Sequence, residues 1–271
     1  MDLNLKDKVI LVTGGDGIVG SIGQTLVFAL AKEGAIPVIV GRNDRGVGYE
    51  KELHEMEIDS MFIKTDVTQT DQIERAVARI EQHYGRIDGI VNNVGVNDGV
   101  NLDASIADFM NSLKLNLVSY FAVVKYALPL LKKSKGTILN IGSKVALTGQ
   151  GGTSGYAAAK GGVLGLTREW AVELITYGIR SNALIIAESY TPAYENWIEG
   201  LENGDQKLQS IKDKIPLGNR MTTPQEIADT CLFVLSDKSS HTTGQFIFVD
   251  GGYVHLDRAL LPKNQPFTYT I

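Results

Sequence analysis

The sequence predicts an α/β fold, with helices covering both faces of one doubly wound, mainly parallel sheet of seven strands. Short apolar runs rich in β-branched residues alternate with segments of helical periodicity along all 271 residues. A glycine-rich turn directly follows the first apolar run. Because no linker, repeat or low-complexity segment interrupts this alternation, we predict a single domain over residues 1–271 with a tail at 255–271.

Seven runs have the length and composition of buried parallel strands. They cover residues 9–13, 36–40, 60–64, 87–91, 137–141, 179–186 and 245–249. Helical segments are predicted at residues 24–32, 45–56, 70–84, 108–132, 154–177 and 223–235, with a further helical excursion within 188–213. Thr223, Pro224 and Glu226 form a strong helix start, since the cap and the glutamate three residues later satisfy free backbone amides. Pro129 is expected to bend or end its helix.

The composition argues against several classes of protein. Hydrophobic residues make up 44% of the chain and the formal net charge is −5, so neither nucleic acid nor an anionic membrane is an expected partner. The single cysteine, Cys231, excludes an internal disulfide and is expected in the core. The N-terminus lacks the apolar region of a signal peptide, and we expect no apolar stretch that approaches the length of a membrane span. We therefore expect a cytoplasmic protein without a metal site.

The glycine-rich turn at residues 14–23 lies between a strand and a helix. Strand, glycine turn, helix and strand make up the dinucleotide-binding unit of Rossmann-type folds, in which backbone amides at the helix start bind the pyrophosphate. After the second strand stands Arg42. An acidic residue there would hold a ribose 2′-hydroxyl, whereas an arginine can hold a 2′-phosphate. The sequence therefore predicts NADP or NAD, with Arg42 favouring NADP; an exposed surface arginine is the alternative.

Three side chains have the chemistry of proton transfer to or from a substrate oxygen. Tyr156 and Lys160 are four residues apart and so share a helix face, while Ser143 closely follows an apolar strand-like run. A nearby ammonium lowers the pKa of a phenol from about 10, and a serine hydroxyl can hold the same oxygen. A tyrosine and a lysine at this spacing also occur often on a solvated helix face. Asn116 has low propensity for its helix interior, so it is expected to satisfy a specific polar contact.

These residues are expected to meet. The turn after residue 13, the loop at 93–95, Ser143 and the loop after residue 186 all follow predicted strands. In doubly wound sheets ligands bind beyond the carboxyl ends of the strands, near the point where the strand order reverses.

Over nearly its full length the chain resembles the classical short-chain dehydrogenase/reductases. Residues 92–95, Asn-Asn-Val-Gly, are similar to the family's N-N-A-G turn. The resemblance implies catalytic roles for Asn116, Ser143, Tyr156 and Lys160, and a homotetramer. It also implies that Asp66 and Val67 flank the adenine and that Thr191 holds the nicotinamide carboxamide. The implied cofactor-binding residues are Gly14, Ser21, Ile22, Gly23, Arg42, Asp66, Val67, Asn93, Gly95, Tyr156, Lys160, Ala187 and Thr191.

The glycine turn departs from the family pattern because it is about three residues longer. One alignment uses Gly14 and Gly20 and leaves Ile18 where a glycine is expected. The other places Ser21-Ile22-Gly23 at the family's G-I-G and fits the distance to the end of the helix, so we prefer it. A second departure is Ile-Ala at residues 186–187 in place of Pro-Gly, where the backbone contact needs no side chain.

Within the family the chain is most similar to bacterial L-fucose dehydrogenases, in residues 95–99, 148–151, 153–156, 167–171, 187–188, 191–192, 196–197, 250–253 and 255–258. The resemblance implies oxidation of an L-fucose-like aldose at C1 to the lactone. Tyr156 would accept the proton, Lys160 would lower the tyrosine pKa and bind the nicotinamide ribose, and Asn116 would hold a water for proton relay. The candidate substrate-binding residues are Asn97, Ser143, Gln150, Tyr156, Glu188 and Trp197. The alternatives are a reductase of 3-oxoacyl thioesters or small ketones, and a non-catalytic nucleotide-sensing protein.

Overall fold

The computed structural model describes residues 2–258 and contains one seven-stranded sheet. Its strands are β1 Val9–Thr13, β2 Ile36–Gly41, β3 Met61–Lys64, β4 Gly89–Asn92, β5 Thr137–Ser143, β6 Arg180–Ile186 and β7 Phe246–Val249. They lie in the order β3-β2-β1-β4-β5-β6-β7, and neighbouring strands pair in parallel. This confirms the predicted fold class. The order reverses between β1 and β4, which is where such sheets bind ligands.

Helices cover both faces of the sheet. They are α1 Ile22–Lys32, α2 Arg45–Glu55, α3 Thr70–Tyr84, α4 Ile106–Leu113, α5 Ser119–Ser134, α6 Ser154–Glu173, α7 Pro192–Glu199, α8 Gly204–Lys212 and α9 Pro224–Leu235. One apolar cluster packs α3, α5 and α6 against the sheet, and a second packs α1, α2 and α9 against its other face. Cys231 of α9 is fully buried in the second cluster, as the sequence predicts.

The strand that leads to Ser143 is longer than predicted. β5 continues through Gly142 and Ser143 because these residues are in register with Ile185 and Ile186 of β6. The absence of a side chain at Gly142 makes room for β6, since a Cβ there would lie 2.6 Å from Ile185 Cδ1. Ser143 is therefore held by strand pairing and not by a flexible loop.

The predicted helix at 108–132 is wrong in its limits and in its regularity. It begins at Ile106, where Ser105 and Asp108 form a capping box, and a π-helical segment, Lys114–Val118, joins α4 to α5. Pro129 lies inside α5 and does not end it. Asn116 lies in the π-helical segment, and such segments are frequent at functional sites.

The helical run Ile106–Ser134 also corrects one expectation from the sequence. Among residues 2–258 this run is long and apolar enough, by length and composition alone, to cross a membrane. In its most apolar 18-residue stretch, 44% is buried inside the protein. Tyr120, Val123 and Ala127 on its inner face belong to the core cluster. The core helix of a globular protein passes the same test, so the run is weak evidence for a membrane span. Most of the predicted tail at 255–271 lies outside the described residues.

Candidate active site

The structure brings Ser143, Tyr156 and Lys160 together at the end of β5. Tyr156 and Lys160 lie on α6, and Lys160 Nζ is 5.6 Å from the centre of the Tyr156 ring. The Ser143 side chain is close enough to the Tyr156 phenol for its hydroxyl to lower the pKa of that phenol. The helix thus holds the tyrosine between the serine hydroxyl and the lysine amine, as the spacing in the sequence predicts.

Lys160 is buried, with 2% of its surface exposed. Its Nζ donates hydrogen bonds to the carbonyl oxygen of Ile141, at 2.7 Å, and to the Tyr120 hydroxyl, at 3.0 Å. Burial lowers the pKa of Lys160 to about 7, because the charged amine loses its hydration. Sequence reasoning missed Tyr120. It lies four residues after Asn116, and that helical spacing is the signal that could have identified it.

Contrary to the expectation from the sequence, the pKa of Tyr156 is not lowered overall. The pKa of Tyr156 is raised to about 12: burial raises it, the Ser143 hydroxyl lowers it by less, and the charge of Asp98 raises it further. The Lys160 amine points at Ile141 and Tyr120, so it does not offset the lost hydration of the phenolate. The protonated phenol is therefore the main form at neutral pH, and the basic form gains population as the pH rises.

Asn116 is fully buried and ties the chain after β4 to the π-helical segment. Its Oδ1 accepts a hydrogen bond from the Val96 amide at 2.8 Å, and its Nδ2 donates to the Val96 and Ser112 carbonyl oxygens, both at 3.1 Å. Asn116 thus makes the specific polar contacts that the sequence predicts. Its role in holding a water for proton relay stays a prediction. Gly95 fits beneath this clamp because a Cβ there would lie 3.0 Å from Asn116 Oδ1 and 3.4 Å from Lys160 Nζ.

The glycine turn after β1 has the geometry of a phosphate cradle. Gly14 has φ +70°, and a Cβ on Gly23 would lie 2.2 Å from the Gly14 carbonyl oxygen. α1 begins at Ile22 with Ser21 as its cap, so free amides of its first turn face the loop. This close packing at Gly23 supports the alignment that places Ser21-Ile22-Gly23 at the family's G-I-G. The residues present therefore fit a dinucleotide pyrophosphate.

The remaining predicted cofactor residues lie at the ends of neighbouring strands. Asn93 is fixed to the end of β1, since its amide donates to Thr13 Oγ1 and its Nδ2 to the Thr13 carbonyl oxygen, each at 2.9 Å. Thr191 caps α7 through the Tyr194 amide at 3.3 Å, and it lines a cavity of about 360 Å³ together with Gly20 and Pro192. The loop after β6 thus lies close to the glycine turn.

Asp66 and Val67 follow β3, as predicted. The Asp66 carboxylate accepts hydrogen bonds from the Thr68 amide at 2.9 Å and the Thr68 hydroxyl at 2.8 Å, and Val67 is buried. The Asp66 side chain therefore shapes its own turn. Ala187 is half-buried directly after β6, and Arg42 is exposed directly after β2.

Lys144 directly follows Ser143 and belongs to a polar and aromatic wall, which also contains Glu188, Tyr194, Trp197 and Tyr253. Glu188 pairs with Lys144, and the Tyr194 hydroxyl donates to Glu188 Oε2 at 3.0 Å. The Trp197 ring meets the Tyr194 ring edge-on at 5.1 Å, and Lys144 Nζ lies 4.2 Å from the centre of the Tyr253 ring. Of this wall, sequence reasoning found Glu188 and Trp197 and missed the other three residues.

Two predicted substrate residues are not part of this cluster. Asn97 and Gln150 are exposed on separate loops, after β4 and β5. Asp98, the neighbour of Asn97, is close enough for its charge to raise the pKa of Tyr156. The loop after β4 therefore lies near Tyr156, and the substrate roles of Asn97 and Gln150 stay predictions.

Comparison with known proteins agrees with this geometry. The family model described as enoyl-(acyl carrier protein) reductase matches residues 17–254. The 3-oxoacyl-acyl-carrier-protein reductase FabG of Thermotoga maritima is 36% identical over 258 residues, which are 93% of this chain and 100% of that protein. This chain belongs to the short-chain dehydrogenase/reductase family. As a member of that family it is an NAD(P)-dependent oxidoreductase, and its dehydrogenase relatives act on small molecules.

Further relatives of this short-chain dehydrogenase/reductase match it over most of their length. The L-fucose dehydrogenase of Bos taurus is 33% identical over 255 residues, 93% of this chain and 91% of that protein. The solved structure of Cj0485 dehydrogenase is 43% identical with a TM-score of 0.92, covering 97% of this chain and 100% of the other. The aldohexose dehydrogenase of Thermoplasma acidophilum is 27% identical with a TM-score of 0.84, covering 98% and 100%. All three are dehydrogenases by name, and the two names that state a substrate, L-fucose and aldohexose, both indicate sugars.

Proposed function

We propose that this enzyme oxidises an L-fucose-like aldose at C1 to the corresponding lactone, with a nicotinamide dinucleotide as hydride acceptor. The observation that carries the proposal is the wall of Lys144, Glu188, Tyr194 and Trp197 beside Ser143. The similarity to an L-fucose dehydrogenase and to an aldohexose dehydrogenase supports the same substrate class.

The wall suits a hydroxylated ring for two physical reasons. Aromatic rings such as those of Tyr194 and Trp197 offer apolar faces to the C–H face of a sugar, while their polar edges and the buried Lys144–Glu188 pair offer hydrogen bonds. A pocket for a fatty-acyl chain or a steroid would instead be lined mainly by apolar side chains. Burying an ion pair costs hydration energy, which a polar ligand offsets better than an apolar one.

In the proposed reaction the C1 hydroxyl is held by Ser143 Oγ and the Tyr156 oxygen. Tyr156, as phenolate, accepts the hydroxyl proton, and the C1–O bond becomes the carbonyl of the lactone. When Lys160 is protonated, its charge near the Tyr156 ring favours the phenolate, although it does not offset the burial that raises the tyrosine pKa. The bound dinucleotide would supply the two-electron acceptor for the hydride that leaves C1. Gly14, Ser21, Ile22 and Gly23 would hold its pyrophosphate.

A second candidate is the reduction of 3-oxoacyl thioesters or small ketones. It is favoured by the similarity to the Thermotoga maritima reductase and by the matching family model. It would use the same Ser143, Tyr156 and Lys160 in the opposite direction, with Tyr156 as proton donor. A non-catalytic nucleotide-sensing role is the third candidate, and the assembled catalytic residues weigh against it.

Parallel initial-rate assays separate these candidates. Oxidation of L-fucose, D-arabinose and L-galactose is followed with NAD and with NADP through the absorbance of the reduced nicotinamide, beside reduction of an acetoacetyl thioester. The proposal predicts that at least one aldose is turned over faster than the thioester; turnover of the thioester alone would contradict it.

Arg42 supports NADP, but the Asp16 carboxylate lies close to Arg42, so both dinucleotides are tested in the assay. We also propose a cytoplasmic location and a homotetramer, which fractionation and sedimentation test.

A further inference from the structure

Asp16, in the glycine turn, carries a carboxylate that sequence reasoning did not assign. The residue is only 2% exposed, although it lies in a loop. Its Oδ2 accepts hydrogen bonds from the Asn43 amide at 2.5 Å and from Asn43 Nδ2 at 2.8 Å. The carboxylate is thereby fixed at the carboxyl end of β2, next to Arg42.

Gly41, the last residue of β2, leaves the space that this carboxylate fills. A Cβ built on Gly41 would lie 1.9 Å from Asp16 Oδ1 and 2.1 Å from Asp16 Cγ. The carboxylate of Asp16 therefore stands where a side chain at the end of the second strand would begin. In dinucleotide-binding units an acidic side chain at the end of this strand binds the 2′-hydroxyl of the adenine ribose.

The turn is anchored so that Asp16 cannot easily swing away. The Tyr49 hydroxyl donates to the Gly17 carbonyl oxygen at 2.7 Å, and Arg45 Nε donates to the Asp16 carbonyl oxygen at 3.2 Å. Both arginines near the site, Arg42 and Arg45, have exposed side chains. Their charges are screened by water, whereas the Asp16 carboxylate is held in place by two hydrogen bonds.

We infer that Asp16 sets the dinucleotide preference of this enzyme and directs it to NAD over NADP. Its carboxylate accepts a hydrogen bond from a ribose 2′-hydroxyl, and its charge repels a 2′-phosphate, which carries nearly two negative charges at neutral pH. This assignment is opposite to the NADP preference expected from Arg42. It concerns only cofactor binding, so it holds or fails independently of the alcohol that the enzyme oxidises.

Binding of the reduced cofactors without any substrate tests the inference. Wild-type protein is titrated with NADH and with NADPH, and nicotinamide fluorescence gives each dissociation constant. We expect NADH to bind about tenfold or more tightly than NADPH, and Asp16→Asn to reduce that ratio by about tenfold. The matched control is Asp44→Asn, which removes an exposed carboxylate that pairs with Lys64 at 2.6 Å; it should leave the ratio unchanged. Thermal melting establishes that each variant is folded.

Two results would overturn the inference. The first is tighter binding of NADPH than of NADH by the wild type. The second is an equal change in the ratio for Asp16→Asn and Asp44→Asn, which would indicate a general charge effect. If Asp16→Asn does not fold, the test rests on the ratio of NADPH to NADH dissociation constants in the wild type and in Arg42→Ala. The inference predicts that Arg42→Ala leaves the ratio near its wild-type value, whereas a large selective loss of NADPH binding would assign the preference to Arg42.

Discussion

Tyr120→Phe tests how the fold controls the charge of Lys160. The substitution removes one oxygen, which accepts a hydrogen bond from Lys160 Nζ at 3.0 Å and donates to the Val94 carbonyl oxygen at 3.0 Å. Lys160 keeps its contact with the Ile141 carbonyl oxygen at 2.7 Å. The ring stays the same size in a fully packed site, so the change removes hydrogen bonds and little else.

The size of the effect follows from the burial of the amine. A hydrogen bond to a charged group contributes about 1.5–3 kcal/mol, and about half of that is expected to distinguish the ammonium from the amine. One pKa unit corresponds to about 1.36 kcal/mol. The pKa of Lys160, already lowered by burial to about 7, should therefore fall by about one further unit. The free energy of unfolding should decrease by about 1–3 kcal/mol, since the Val94 carbonyl also loses its donor.

The assay is the pH dependence of kcat/KM for alcohol oxidation. The rising limb reports loss of a proton from the Tyr156–Lys160 pair, which titrates as a unit, so a lower Lys160 pKa moves that limb to lower pH. Tyr126→Phe is the matched control, because Tyr126 is half-buried on the same helix, whereas the Lys160 amine lies beside the rings of Tyr120 and Tyr156. A folded Tyr120→Phe enzyme whose limb stays in place, or an equal movement in Tyr126→Phe, would refute the reasoning.

Two further substitutions test the wall beside Ser143 and the start of α9. Glu188→Gln should lower the free energy of unfolding by about 3–5 kcal/mol in chemical denaturation, because the buried Lys144 ammonium loses its opposite charge and keeps only the Tyr253 ring beside it. Pairing Glu188→Leu with Lys144→Met should recover much of that loss; a double variant no more stable than Glu188→Gln would contradict this. Hydrogen bonding to Arg220 lowers the pKa of Glu226 to about 2, and hydrogen bonds from Thr223 lower it as well. The stability that this carboxylate contributes is full above its unfolded pKa near 4.5 and is lost as the pH falls toward 2. Glu226→Gln should therefore weaken the acid dependence of unfolding, and an unchanged dependence would count against the assigned cause.

The parts of the fold that the sequence predicted best depend on local pattern. β1 and α3 have the predicted limits because an unbroken β-branched run and a regular helical periodicity define them. The end of β5 and the π-helical segment depend on pairing with β6 and on the clamp made by Asn116, neither of which a local window contains. Their true limits therefore follow only from tertiary contacts.

The same distinction applies to the candidate site. Tyr156 and Lys160 were predictable because one helix turn separates them. The residues that were missed have their partners far away in the chain: Tyr120 contacts Lys160 across 40 positions, Lys144 contacts Glu188 across 44, and Asp16 contacts Asn43 across 27. The sign of the Tyr156 pKa change was wrong for a related reason, since the depth of burial cannot be read from residue spacing.

The most direct test of the account is Tyr156→Phe, examined by catalysis and by cofactor binding together. The variant lacks the oxygen that accepts the substrate proton but keeps the ring, the helix and the glycine cradle. We expect kcat for the best substrate of the panel to fall about 10²–10⁴-fold, while the dissociation constant for NADH stays close to that of the wild type. A variant that retains near wild-type kcat with NADH still bound would contradict the assignment of Tyr156 as the proton acceptor.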